Sequence, residues 1–184
     1  MLKNSLRALC AASLVIAPVL MASPAHAVAV CSVNGVSQSG TNINGTAGND
    51  IIVCSAVDVG DTVNAGAGDD RIILSGNVEG TVNGGSGRDL IVSNGVVWPT
   101  GVLDGQAGND VFDLRANVAG QILGGADSDT VRLPRRIDTS GLVAGQAGND
   151  VIAVNQNFGT VDGGAGFDAC LVNDNQDTVI NCNP

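Results

Sequence analysis

GQAGNDVFD, residues 105–113, joins a glycine-rich turn to a short apolar strand, with Asp110 at the junction. The same pattern stands six more times: GTAGNDIIV (45–53), AGAGDDRII (65–73), GGSGRDLIV (84–92), GGADSDTVR (124–132), GQAGNDVIA (145–153) and GGAGFDACL (163–171). The aspartates at the junctions are Asp50, Asp70, Asp89, Asp110, Asp129, Asp150 and Asp168, separated by 20, 19, 21, 19, 21 and 18 residues. A period near twenty predicts a solenoid in which each repeat is one coil stacked on the last. Stacking brings the seven aspartates into one column.

Each repeat has four parts. A short strand carries an apolar residue two places before the turn: Ile43, Val63, Val82, Leu103, Ile122, Val143 and Val161. After the turn and its aspartate, a second strand alternates apolar positions, beginning at Ile52, Ile72, Ile91, Phe112, Val131, Ile152 and Cys170. A second, less regular turn of the form Asn-apolar-x-Gly returns the chain. Period-two strands of this kind bury their apolar face only when the next coil stacks at the ~4.8 Å strand spacing. The expected fold is therefore all-β, a parallel β-roll or β-helix of about seven coils. Small core residues and few aromatics suit its thin interior. Trp98-Pro99 falls in the longest second turn and is expected as a surface protrusion.

The start of the chain reads differently. Lys3 and Arg7 precede the apolar stretch 8–20, and Ala25-His26-Ala27 forms a small-x-small cleavage site, so residues 1–27 are expected to be a Sec-type signal peptide. The apolar run is too short to span a membrane. The expected organisation is a signal at 1–27, an N-terminal cap at 28–42, repeats at 43–172 and a C-terminal cap at 173–184. Export places the chain outside the cell or in the periplasm. Beyond residue 27 there is no His, Lys or Tyr, and six arginines face 18 acidic residues, 17 of them Asp, a net charge near −12. That balance excludes nucleic acid and anionic membranes as partners and favours cations.

Four cysteines follow the signal: Cys31, Cys54, Cys170 and Cys182. An oxidising compartment favours disulfides, and four cysteines allow three connectivities. A solenoid keeps its ends apart, so Cys31–Cys54 and Cys170–Cys182 are the expected staples.

Glycine at a tight turn needs no functional reason, because it tolerates positive φ. The aspartate does need one. Carboxylates ~4.8 Å apart repel by about 1 kcal/mol per neighbouring pair at a dielectric of ~80, and by ~3.5 kcal/mol at ~20. Capping of each aspartate's own turn, help from Arg71 or Arg88, or a column of bound cations would offset this.

The turns resemble the GGxGxDxUx nonapeptide of the RTX (repeats-in-toxin, hemolysin-type) calcium-binding family, over residues 43–172. The resemblance implies a right-handed parallel β-roll with Ca2+ between adjacent coils. The ions would be held by the seven aspartates and by turn carbonyls that Gly48, Gly68, Gly87, Gly108, Gly148 and Gly166 orient. Calcium accepts six to eight oxygens in flexible geometry, which suits two stacked turns. Seven turns leave at most six gaps, in one column, because each coil carries one nonapeptide. Asp127 replaces the expected glycine in the fifth copy and marks the sites beside it as the weakest. The tail 167–184 is similar to the final segment of small secreted bacterial proteins with these repeats.

The function expected from this reading is that of a secreted calcium-binding protein, folded and stiffened by its ions, serving adhesion to a cell-surface glycan or matrix. A polysaccharide-acting β-helix enzyme is the first alternative. Arg115, Arg132, Arg135 and Arg136 could meet an acidic sugar, but no His, Lys or Tyr is present to act as acid or base, so the chain is expected not to be an enzyme. An ice-binding or metal-independent solenoid is the second alternative. Thr41, Thr62, Thr81 and Thr160 form part of a threonine row that Val102, Gln121 and Leu142 interrupt.

Overall fold

In the strand Arg71–Leu74, Ile72 and Leu74 are buried while Arg71 and Ile73 face outward. The same alternation recurs in most of the coil strands, so one face of each is available to line an interior. The computed structural model describes residues 29–183; the expected signal segment, 1–27, lies outside the described residues. Strands alternate between two sheets. One has nine strands, running from Ala169–Asn175 back through Arg71–Leu74 and Ile51–Cys54 to Ala29–Val33 and Val36–Gly40. The other has eight, from Thr178–Ile180 to Asn42–Asn44. Pairing between successive coils is parallel throughout, giving an all-β parallel β-solenoid of about seven turns.

Register is set by the apolar columns. Val63, Val82, Leu103, Ile122, Val143 and Val161 stack in one sheet. Ile52, Ile72, Ile91, Phe112, Val131, Ile152 and Cys170 stack in the other. A one-residue slip would turn either column out to solvent. The second turn is more regular than its sequence indicates. Val57, Val78, Val97, Val118 and Ile137 are joined coil to coil by single parallel bridges and are buried, a third column on the side opposite the glycine turns. That column ends at Asn157, which is buried yet satisfied. Its amide donates to Asn175 Oδ1 and to the Thr178 carbonyl, and its Oδ1 accepts the Gly159 N–H.

Each end carries a disulfide. The hairpin Ala29–Val33 and Val36–Gly40 lies antiparallel on the first coil, and Cys31 is bonded to Cys54 there, with Cα atoms 4.1 Å apart. At the far end Cys170 is bonded to Cys182, with Cα atoms 5.7 Å apart. The tail from residue 173 continues both sheets by a further coil, through Ala169–Asn175 and Thr178–Ile180. Trp98 is half-exposed, but its backbone is tied into the coil, donating to Val78 O and accepting from the Gly101 N–H. No helix long and apolar enough to cross a membrane occurs among the described residues.

Candidate metal column

The seven aspartates that open the second strands are all buried, at 1–3% exposure. They do stand in one column, and six of the seven carboxylates are tied to the coil before. Asp50 N–H donates to Asp70 Oδ1, Asp70 N–H to Asp89, Asp89 N–H to Asp110, Asp110 N–H to Asp129, Asp129 N–H to Asp150 and Asp150 N–H to Asp168, at 2.7–2.9 Å. Capping within the aspartate's own turn, one of the three alternatives, is therefore found at Asp50 alone. There the Thr46 N–H and hydroxyl reach Oδ2, and the Asn34 amide of the hairpin reaches Oδ1. In the other six repeats the carboxylate spans coils, accepting the N–H of the preceding repeat's aspartate, which Asp50, first in the column, does not have.

This leaves one oxygen over in each of six carboxylates. Oδ2 of Asp70, Asp89, Asp110, Asp129, Asp150 and Asp168 is buried and has no hydrogen-bond partner. An unpaired buried charge costs far more than a paired one. The carboxyl groups register that cost in the metal-free chain. Burial lifts Asp89 and Asp110 to about 6 and Asp129 to about 7, partly offset by the N–H each accepts and reinforced by neighbouring carboxylates. Asp70 and Asp150 are raised for the same leading reason. At Asp50 burial also pushes upward, but the Thr46 N–H, the Asn34 amide and the Thr46 hydroxyl outweigh it and bring the group below its ordinary value.

A second oxygen lies beside four of these orphans. A Cβ added at Gly84 would stand 2.5 Å from Asp89 Oδ2 and 2.8 Å from the carbonyl oxygen of Gly105, one coil on. At Gly124 the same two groups, Asp129 Oδ2 and Gly145 O, would lie at 2.5 and 2.6 Å. Gly105 and Gly145 repeat the arrangement with Asp110 and Gly124 O, and with Asp150 and Gly163 O. The first glycine of these four turns thus has no side chain where two oxygens converge. This is the functional feature that reading the sequence missed. Its signal was present, since the turns at 84, 105, 124, 145 and 163 all begin with glycine.

The fourth-position glycines, expected to orient carbonyls, have a packing role. Gly68, Gly87, Gly108, Gly148 and Gly166 have positive φ, and a Cβ at any of them would collide with backbone of the preceding coil. Gly48, in the first turn, has neither constraint. Asp127 takes the fourth position of the fifth turn at a φ of 77°, a left-handed conformation unfavourable for a side chain. Nowhere among the described residues do three His, Cys, Asp or Glu side chains converge on one point. A cation here would be bound by carboxylate oxygen plus backbone carbonyls, an all-oxygen set that suits a hard ion such as calcium.

No protein family and no curated protein matches the chain. A solved structure does. The chain is similar to a calcium-dependent β-helical antifreeze protein. That crystal structure is of a hyperactive protein from an Antarctic bacterium; the two are 36% identical, with a TM-score of 0.66 over 71% of this chain. The match takes in 41% of the other protein, so the chain spans about two fifths of its length.

Proposed function

We propose that this chain is an exported calcium-binding solenoid of the hemolysin-type repeat class, in which Ca2+ along the aspartate column completes and stiffens the fold. The observation that supports this best is the set of six buried, partnerless Oδ2 atoms, four of which, on Asp89, Asp110, Asp129 and Asp150, lie beside a glycine carbonyl of the next coil. Asp70, Asp89, Asp110, Asp129, Asp150 and Asp168 would hold the ions together with the first-position carbonyls, and Asp50 the least, since its oxygens already have donors. Bound calcium would supply the positive charge that the column lacks. Because the unfolded chain has no such sites, binding energy becomes folding energy. The chain is proposed to act outside the cell as a non-catalytic element of adhesion or surface matrix.

Ice binding is the second reading, favoured by the antifreeze neighbour. The register bears on it. Outward-facing partners run Asn42, Thr62, Thr81, Val102, Gln121, Leu142, Thr160 and Thr178. Thr41, expected in the row, is displaced from it by Asn42, and three non-threonine residues still break its middle. An unbroken threonine face is therefore lacking on this sheet.

Far-UV circular dichroism of the exported chain during a calcium titration, with magnesium as control, tests the first reading. A cooperative, chelator-reversible rise in β signal is expected. A chain fully folded in chelator, with a melting temperature indifferent to calcium, would discard it. Ice crystals that grow faceted in the protein's presence would favour the second.

A further inference from the structure

The sheet containing Thr130–Ile137 keeps its register from coil to coil except between Leu133 and Arg136, where a bulge lifts Pro134 and Arg135 out of the ladder. Bulges re-aim side chains, and proline has no N–H to lose. Here the bulge makes a cleft. A cavity of about 430 Å³ lies on one side of it, between Arg132 and Leu171, and a second of about 240 Å³ lies on the other, beside Arg135. The two share Pro134 and Asn155 as a common ridge.

Arginines outnumber carboxylates at this place although the molecule is acidic; the one carboxylate lining the first cavity is Asp113, the cross-strand neighbour of Arg132. Four of the six arginines after residue 27 are Arg115, Arg132, Arg135 and Arg136. Two are committed: Arg115 pairs with Asp113 at 2.9 Å, and Arg136 pairs with Asp138 and lies over the Phe158 ring at 5.7 Å. Arg132 and Arg135 are exposed and make no ion pair among the described residues. Asn155 and Asn173 stand side by side along the cleft, linked at 3.3 Å. Leu171, 62% exposed, and Pro134 supply apolar surface.

We infer that this cleft binds an acidic glycan, a short run of uronate sugars. A guanidinium fork matches a planar carboxylate through paired hydrogen bonds. The two amides offer donors and acceptors to ring hydroxyls, and Leu171 and Pro134 meet the C–H faces of the rings. Two lobes across one ridge suit successive sugars better than a single small anion. Nucleic acid fits poorly, because the cleft has no aromatic ring on which a base would stack and the chain around it is acidic. The inference deepens the adhesive role proposed above and draws nothing from the metal column.

The test is calorimetric titration of trigalacturonate into the calcium-loaded exported chain, with maltotriose as neutral control. Saturable binding of the uronate alone is expected. R132A/R135A should weaken it by about tenfold or more, while R71A/R88A leaves it unchanged; both pairs are surface positions, and equal melting temperatures would show intact folds. Absence of uronate binding, equal binding of maltotriose, or binding that survives R132A/R135A through calcium bridging would overturn the inference. Failure of the calcium transition in circular dichroism would instead count against the metal reading, independently of this cleft.

Discussion

Asp129 sits mid-column, and Asp129→Asn preserves its shape while removing its charge. Asn Oδ1 can keep the bond from the Asp110 N–H, now 2.8 Å. The amide nitrogen would stand where the orphaned Oδ2 stands, close to the Gly145 carbonyl, and can donate to it. In the metal-free chain the carboxyl is lifted from 3.8 to about 7. That rise corresponds to at most about 4 kcal/mol against the ionised form well above neutrality. The folded pKa lies above the unfolded one, so the folded state binds more protons between pH ~4 and ~7, and metal-free stability falls as pH rises through that window. Asp129→Asn should therefore raise the Tm in chelator at pH ~7.5, by roughly 3–10 °C for a chain of this size. At pH ~5 the gain should shrink to about a third, because metal-free stability has then fallen over only the part of the window between pH ~4 and ~5. In calcium the sign should reverse, since the variant loses a charged ligand oxygen. Thermal melts in chelator and in millimolar calcium, each at both pH values, read all four corners. A variant that melts at or below wild type in chelator at the higher pH would refute the reasoning.

Gly105→Ala places a methyl where Asp110 Oδ2 and Gly124 O converge; a loss of about 2–3 kcal/mol in denaturant unfolding is expected, together with a weakened calcium response. Gly48→Ala and Gly108→Ala occupy the same position in their turns but should differ. The first has open space and should stay within about 0.5 kcal/mol of wild type, while the second meets the Gly87 carbonyl at positive φ and should cost about 3 kcal/mol or more. Asp127→Gly relieves a side chain held at a φ of 77° and removes a charge that raises Asp110 and Asp129, so a gain of about 0.5–1 kcal/mol is expected in chelator. Asp61→Ala removes the acceptor of the buried Ala29 N–H, 2.8 Å away, and should lower the melting temperature by the equivalent of about 1–3 kcal/mol.

Much of the architecture was open to reading from local pattern. The seven-fold spacing and the period-two apolar residues name the coils, and the buried columns headed by Ile52 and Val63 follow from them. Period two is a local property of an extended chain, so sequence carries it directly. The second turns were harder to read. Their single apolar residue, such as Val78 or Val118, has no periodic partner within its own coil. Its partner lies about twenty residues away, and only stacking shows that these residues form a third column. The threonine row was misread by one residue at Thr41 for the same reason, since an outward row is defined by register across coils.

The column itself divides along the same line. That seven aspartates recur in phase is a fact of sequence, and with it come the excess of negative charge and the demand for something to offset it. Which oxygen is satisfied, and by what, depended on tertiary structure. Asp70 Oδ1 finds its donor at Asp50, and Asp89 Oδ2 finds the carbonyl of Gly105, because coils stacked in register place those backbone groups there. A repeat specifies its own turn, while the contents of the gap between two turns are specified by neither alone. The cleft at Pro134 has the same origin: two residues out of phase are visible in the chain, but their separation from Leu171 is a distance between coils.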